Sequence, residues 1–314
     1  EIGPATIGEE TETLVGHVFG AGKGILPNYV ATGTDEEKSR RMVLDKNDQG
    51  QVVGSKWEYF TTEADYITFV KTLALSSQTN VTIEGNAKVK GSVFGGSESG
   101  FVQFDTNVTV MNGTIGTQGK GGADFGNVYG GGKGDAVHTG NAQNYFAASL
   151  VKGDTKVKVE GGSVLHNIYG GGAYGTVGEF AYGDNGMPTG RRKYTVNSTV
   201  TETTGGNTEV YITGGTIGTN GDENGRIFGS SRGDVGAPGA IHDKLAWVYD
   251  THVAIGDTLA TSTTTTTPLI KGSIYGGGEN GHNFHNAYVR INGGTIGIAE
   301  GEPIGSYTDG GASY

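Results

Sequence analysis

The sequence predicts an all-β chain built as a right-handed parallel β-helix, a solenoid, with long loop insertions. Two short elements recur along its 314 residues, and the 60 glycines stand at fixed places within them. One element is an apolar pair followed by glycine, and the other alternates apolar and polar residues before a glycine turn. Glycine at regular places beside Val, Ile and Tyr indicates repeated tight turns rather than disorder.

The glycine element consists of Val or Ile, then Phe or Tyr, then glycine. Its six copies begin at Val18, Val93, Val128, Ile168, Ile227 and Ile274. We expect each copy to form a structural corner, with glycine where backbones crowd or turn. The ring should stack on its equivalents in the neighbouring units.

The alternating element has the pattern of a half-buried strand. Its six copies begin at Val81, Val108, Val157, Val210, Val253 and Val289. The first and third residues are Val or Ile and should point inward, whereas the middle residue is Thr, Lys, Tyr, Ala or Arg and should point out. β-branched residues favour strands over helices at these positions.

An amide or carboxylate residue stands three positions before each alternating element. These residues are Gln78, Asp105, Asp154, Asn207, Asp250 and Asn286. Asx side chains cap turns through their own backbone, so we expect a ladder of such caps at one corner.

One unit supplies two recognisable strands, and neither can bury its apolar face alone. Stacking the units in register would form parallel ladders around a narrow core, as in a β-helix. The alternative is a kelch-like β-propeller, which needs four strands per blade. Both ends of the sequence cut the repeat within a unit, so residues 1–314 are interpreted as a single solenoid segment of a longer array.

Insertions interrupt the repeat at about residues 25–78, 135–153, 176–206, 234–250 and 256–269. Insertions at one fixed point of a solenoid emerge on one side and often form its working surface. In the first, Thr62 is a typical helix cap, and Ile67, Val70 and Ala74 follow at helical spacing. We therefore expect one short helix over about 63–75.

Composition argues against several functions. The formal net charge of −11, without a basic stripe, disfavours nucleic-acid binding. No apolar run approaches the roughly 20 residues of a membrane-spanning helix. Cysteine is absent, so no disulfides form. No catalytic signature is recognisable.

Aromatic residues in the insertions are the first candidate ligand-binding group. They are Trp57, Tyr59, Tyr145, Phe146, Trp247 and Tyr249. Side by side, their rings could form a platform for sugar faces. Alternatively, they pack the insertions against the wall of the solenoid.

Other short motifs carry weaker signals. Arg232-Gly233-Asp234 spells an integrin-type adhesion tripeptide, although Lys133-Gly134-Asp135 occupies the same place in another unit, so the repeat itself accounts for it. Oxygen-rich turns with Asp184, Asp222 and Glu223 suggest calcium, or plain solvated turns. His282 and His285, near Glu279, form a poor zinc set. Arg191-Arg192-Lys193 could bind an anionic group or lie in a solvated loop.

The phrases 126–132 (GNVYGGG) and 167–172 (NIYGGG), with the Gly-Thr-Ile-Gly turns at Gly113, Gly215 and Gly294, resemble large secreted β-solenoid proteins of the Bacteroidetes, often labelled adhesin-like. The resemblance implies an extracellular or cell-surface location in a Gram-negative bacterium and supplies no catalytic residues. It favours a non-enzymatic structural or adhesin-like segment that binds a glycan, a host protein or another copy. A polysaccharide-cleaving enzyme on a β-helix and a self-assembling fibre segment with open ends are the alternatives.

Overall fold

The computed structural model describes residues 15–122, 124–135, 147–219, 224–234, 243–256 and 267–298, with the backbone of strands Thr6–Ile7, Thr308–Asp309 and Ala312–Ser313. Within these residues, three parallel sheets of six or seven strands account for most of the regular structure. Each sheet takes one strand from every unit, in chain order. The prediction of an all-β chain with parallel ladders is therefore confirmed.

The first sheet, here the long-strand sheet, contains the alternating elements. Equivalent residues pair directly, as Val108 does with Val157. Its strands are Thr79–Ile83, Thr106–Val110, Thr155–Val159, Thr208–Ile212, Thr251–Ile255 and Ala287–Ile291.

Two sheets of two-residue strands complete each unit. The turn sheet comprises Thr6–Ile7, Lys88–Val89, Thr114–Ile115, Ser163–Val164, Thr216–Ile217, Leu269–Ile270 and Thr295–Ile296. The ring sheet comprises Val18–Phe19, Val93–Phe94, Val128–Tyr129, Ile168–Tyr169, Ile227–Phe228 and Ile274–Tyr275.

A fourth, interrupted ladder follows the ring sheet. Leu75–Ser76 pairs with Phe101–Val102, and Trp247–Val248 pairs with His282–Asn283. Isolated bridges join Val102, Val151 and Val177. The expectation of two strands per unit was therefore wrong, because segments this short carry no alternation that a sequence pattern could reveal.

The insertions form smaller elements outside the parallel sheets. Their antiparallel pairs are Arg40–Lys46 with Val52–Tyr59, Phe180–Tyr182 with Pro188–Arg191, and Lys193–Val196 with Thr199–Glu202. After the last unit, Thr308–Asp309 pairs antiparallel with Ala312–Ser313. The single helix of the described residues is Glu63–Val70, where the Thr62 side chain accepts a hydrogen bond from the Asp65 backbone N–H. Thr62 was predicted as the cap, but the helix ends before Ala74, whose φ is +52°. No helix among the described residues is long and apolar enough to cross a membrane.

The core lies between the three sheets and consists of Val and Ile side chains at the inward positions, together with Ala87. Val108 and Val110 are fully buried, as predicted, and the middle residues are mostly more exposed. Ala254 is the exception, because it was expected to point out yet is fully buried.

The rings of the ring sheet stack as predicted. Neighbouring centroids are 4.7–4.9 Å apart, with planes inclined by 7–11°. The stack runs through Phe19, Phe94, Tyr129, Tyr169, Phe228 and Tyr275. In-register pairing places each ring directly over the next, so the spacing of parallel strands becomes the spacing of the rings.

A buried threonine ladder ties the long-strand sheet to the ring sheet. The first threonine of a long strand donates its hydroxyl to the glycine carbonyl that follows a stacked ring, at 2.5–2.6 Å. The pairs are Thr79–Gly95, Thr106–Gly130, Thr155–Gly170, Thr208–Gly229 and Thr251–Gly276.

The Asx ladder exists, but it joins neighbouring units instead of capping its own turns. Asp105 Oδ1 accepts the backbone N–H of Asp154 at 2.8 Å, and Asp154 Oδ1 accepts that of Asn207 at 2.8 Å. Asp250 and Asn286 repeat the contact. The side chain reaches the next unit because parallel stacking brings equivalent backbones close together.

Candidate binding groove between the insertions

Parts of four insertions meet around one groove with a volume of about 560 Å³. The first insertion contributes Lys71 after the helix, the second Ala147 and Leu150, and the fourth Lys244. The third contributes most of the wall: Gly178, Glu179, Phe180, Tyr182, Gly183, Asp184, Asn185, Gly186 and Arg192. We call this feature the insertion groove.

The hairpin of the third insertion, Phe180–Tyr182 with Pro188–Arg191, is anchored at one end and closed at the other. Phe180 is buried, with its ring 6.3 Å from that of Trp247. At the tip, Asn185 Oδ1 accepts the Met187 N–H at 3.1 Å, and Gly186 adopts a φ of +74°, which glycine tolerates best. The anchored base and closed tip hold this wall of the groove in place.

The inner wall of the groove is charged. The Glu179 carboxylate lies 3.0 Å from Arg192 Nη1 and 3.9 Å from Lys152 Nζ. Partial burial lowers the pKa of Lys71, and the charges of Lys152 and Arg192 lower it further, while Glu179 opposes them. Two cations therefore lie within 4 Å of one carboxylate, and Lys71 lies close enough for all three charges to act on it.

The aromatic residues predicted to bind ligand do not share one site. Trp57 is 47% exposed on the first hairpin, where the Arg40 guanidinium lies 4.2 Å from the ring centroid. Tyr59 lies on the same strand with Lys38 Nζ 5.7 Å from its ring. Neither lines the insertion groove. Tyr145 and Phe146 lie outside the described residues.

Trp247 and Tyr249 pack the insertions against the sheets. Trp247 is 8% exposed, and its indole N–H donates to the Asp243 carbonyl at 2.8 Å. Its ring stacks on His282 at 4.5 Å. Tyr249 contacts the Arg191 guanidinium, 3.8 Å from the ring centroid. These contacts support the packing interpretation for both rings.

The Arg232-Gly233-Asp234 tripeptide is part of the stacked units. The Arg232 side chain is 17% exposed, donates to the Tyr174 hydroxyl at 3.2 Å and lies 3.7 Å from Glu279. Gly233 is buried and donates its N–H to the Ala173 carbonyl. A receptor would need these groups accessible, so the geometry supports the repeat as the origin of the tripeptide.

The equivalent Lys133 makes a similar pair. Its Nζ lies 3.2 Å from Asp124. The contact with His17, whose Nε2 lies 3.4 Å from Asp124 Oδ1, and the charge of Lys133 lower the pKa of Asp124 to about 2, against the effect of partial burial. In both units the basic residue thus neutralises a carboxylate beside the ring stack.

The proposed calcium turn is already next to a cation. Asp184 lies at the tip of the groove hairpin, and a Cβ on Gly186 would lie 2.7 Å from Lys244 Nζ. An ammonium group at this turn competes with a divalent ion. Asp222 and Glu223 lie outside the described residues, and among the described residues no three acidic or histidine side chains are grouped to hold a metal.

The predicted histidine set is dispersed. His282 stacks on Trp247, His285 Nδ1 lies 2.9 Å from Asp250, and Glu279 binds Tyr169 and Arg232. The three basic residues Arg191, Arg192 and Lys193 also have separate partners. Only Arg192 lines the groove, while Lys193 pairs with Glu202 at 3.0 Å.

Sequence reasoning missed Lys71 and Glu179 as groove residues, because the pattern around them is that of an ordinary exposed loop. Comparison with protein-family models, with curated proteins and with solved structures finds no match to this chain. The groove itself offers cations, hydrogen-bond donors and the exposed ring of Tyr182, which are the means to bind a polar ligand.

Proposed function

We propose that this chain is a non-enzymatic, extracellular scaffold: a right-handed parallel β-solenoid that binds its ligand in the insertion groove. Three parallel sheets, each taking one strand from every unit in register, support the solenoid. A propeller blade pairs its strands antiparallel within one unit. The kelch-like alternative therefore receives no support from this pairing.

The main support for the binding function is that parts of four insertions line one groove. The insertions come from different units, and in repeat proteins such insertions build the binding face. The stacked units would then serve as a rigid wall that holds the loops in position.

The size of the groove favours a glycan over a host protein as its occupant. Its volume of about 560 Å³ lies within the roughly 300–1,000 Å³ of small-ligand sites. A stable protein partner would need about 800 Å² of surface on each side. The resemblance to secreted solenoid proteins supports a cell-surface location.

A glycan array tests the proposal. We expect wild-type protein to bind, Ala147→Trp to lose binding because the indole fills the groove, and Tyr182→Ala to weaken it. Trp57→Ala is the matched control and should bind like wild type, because Trp57 lies on the hairpin outside the groove. Circular dichroism verifies folding of each variant.

Two results would contradict this assignment. Loss of binding in Trp57→Ala alone would move the site to the first hairpin. Release of unsaturated products from uronic-acid polysaccharides would favour the enzymatic alternative.

A further inference from the structure

The insertion groove is lined by three cations, Lys71, Arg192 and Lys244, and by two carboxylates, Glu179 and Asp184. Arg192 and Lys152 share the Glu179 carboxylate, at 3.0 Å and 3.9 Å. Among the described residues, Lys71 Nζ has neither a hydrogen-bond nor an ion-pair partner. An ammonium group in this position is ready to bind an anion.

The positive charge of Lys71 is unfavourable in these surroundings, and an anionic ligand would make it less so. Its pKa is lowered by partial burial and by repulsion from Lys152 and Arg192. A bound carboxylate or sulfate would offset this repulsion, raise the pKa of Lys71 and so favour the charged lysine.

The positive wall contrasts with the chain as a whole, whose formal net charge is −11. An anionic ligand is repelled by most of such a surface and attracted where cations converge. The overall charge thus increases the preference of anions for this groove over other surfaces of the protein.

One wall of the groove also suits a sugar ring. Tyr182 lies on the strand Phe180–Tyr182 and leaves its side chain exposed at the groove. An exposed tyrosine stacks on the apolar face of a pyranose and offers a hydroxyl to its polar edge. Lys71 and Arg192 supply the charged donors from the same groove.

We propose that the insertion groove is selective for anionic saccharides that carry a carboxylate or a sulfate group. This inference rests on the proposed binding function and names its ligand class. Lys71 and Arg192 bind the anionic group, and Tyr182 stacks on the ring that carries it.

Isothermal titration calorimetry of the whole chain tests the inference with four probes. They are trigalacturonate for the carboxylate, a heparin-derived tetrasaccharide for the sulfate, neutral maltotriose, and hexaglutamate as an acidic peptide. At least one acidic saccharide should bind, more weakly at high salt, and maltotriose should not. The stronger of the two identifies the anionic group.

Lys71→Gln removes one charge from an exposed position and should weaken acidic saccharides about tenfold, the effect of one charge-assisted hydrogen bond. Lys193→Gln is the matched control, because Lys193 is adjacent to Arg192 in sequence but pairs with Glu202 outside the groove. It should change affinity less than twofold.

The outcomes separate this inference from the function it rests on. Maltotriose binding that Ala147→Trp blocks and Lys71→Gln leaves unchanged would overturn the anion selectivity and keep the groove as the site. Hexaglutamate binding as tightly as the saccharides would overturn the saccharide class. No binding of any probe, with an unresponsive glycan array, would overturn both.

Discussion

The Tyr169 hydroxyl donates a 2.5 Å hydrogen bond to Glu279 Oε2, although 110 positions separate the two residues in the sequence. Tyr169 is fully buried in the ring stack, and burial raises its pKa, so the phenol stays protonated and can donate. Arg232 Nε lies 3.7 Å from the same carboxylate. Three successive units are thus joined by one polar contact beside the stacked rings.

Tyr169→Phe keeps the stacked ring and removes this hydrogen bond. Because the acceptor is a partly buried carboxylate, we expect the free energy of unfolding to fall by about 1.5–3 kcal/mol. Urea unfolding at neutral pH measures the change. Tyr275→Phe, at the exposed end of the same stack, is the control and should change stability by less than about 0.5 kcal/mol. Equal effects would mean that the bond to Glu279 contributes nothing.

Thr155→Val tests the threonine ladder. The substitution conserves shape but leaves the buried Gly170 carbonyl without the hydroxyl that lies 2.5 Å away. Loss of a buried hydrogen bond should reduce the free energy of unfolding by about 1–3 kcal/mol, measured by urea unfolding. Thr155→Ser retains the hydroxyl and should recover most of the loss. A fully stable valine variant would show that the ladder is dispensable.

Gly130→Ala tests the crowding at the structural corner. A Cβ there would lie 2.1 Å from the Gly170 carbonyl oxygen of the next unit, so the backbones must separate. We expect a loss of about 2–3 kcal/mol, the upper range for overpacking, with thermal unfolding as the readout. At the equivalent Gly276 the nearest atom is the Ala287 Cβ at 3.1 Å. Gly276→Ala should therefore cost less, and a reversed order would contradict the crowding.

The buried imidazole of His166 should make the protein less stable in mild acid. Burial, then the charges of Arg232 and Arg226, lower its pKa from 6.5 to about 3. Because the unfolded chain takes up a proton below about pH 6.5 and the folded chain only near pH 3, the free energy of unfolding falls as pH is lowered through this window.

Urea midpoints at pH 7 and pH 4.5 measure this pH dependence. The His166 Nδ1 hydrogen donates to Asn127 Oδ1 at 2.7 Å, so His166→Gln offers a replacement donor without a titrating ring. The variant should lose less stability than wild type between the two pH values. An unchanged pH slope would assign the acid sensitivity to other groups.

Much of the fold could be predicted because every unit repeats the same short residue patterns. Alternation in Val108–Val110 identified the inward face, and the aromatic of each glycine element identified the stack. Parallel in-register pairing then places each residue beside its own equivalent, so a repeated residue becomes a ladder. The two-residue strands of the turn sheet and of the interrupted ladder, such as Lys88–Val89, were missed because two residues contain no period.

The direction of individual contacts was less predictable. Asp105 and Asp154 were expected to cap their own turns, but each accepts a hydrogen bond from the next unit. The sequence does not show which residue of the next unit lies nearby, because an insertion of any length can separate two units that stack directly. For the same reason, the pairing of Arg232 with Glu279 could not be predicted from the sequence.

The repeating units, their buried positions, the aromatic stack and the start of the short helix were predictable, because each depends on residues close together in the chain. The insertion groove forms only when the units stack. Its charged residues, Lys71, Glu179, Asp184, Arg192 and Lys244, come from three insertions without a shared pattern. They meet because the stacked units hold the bases of those insertions side by side, and that proximity is a property of the stacking rather than of any local segment.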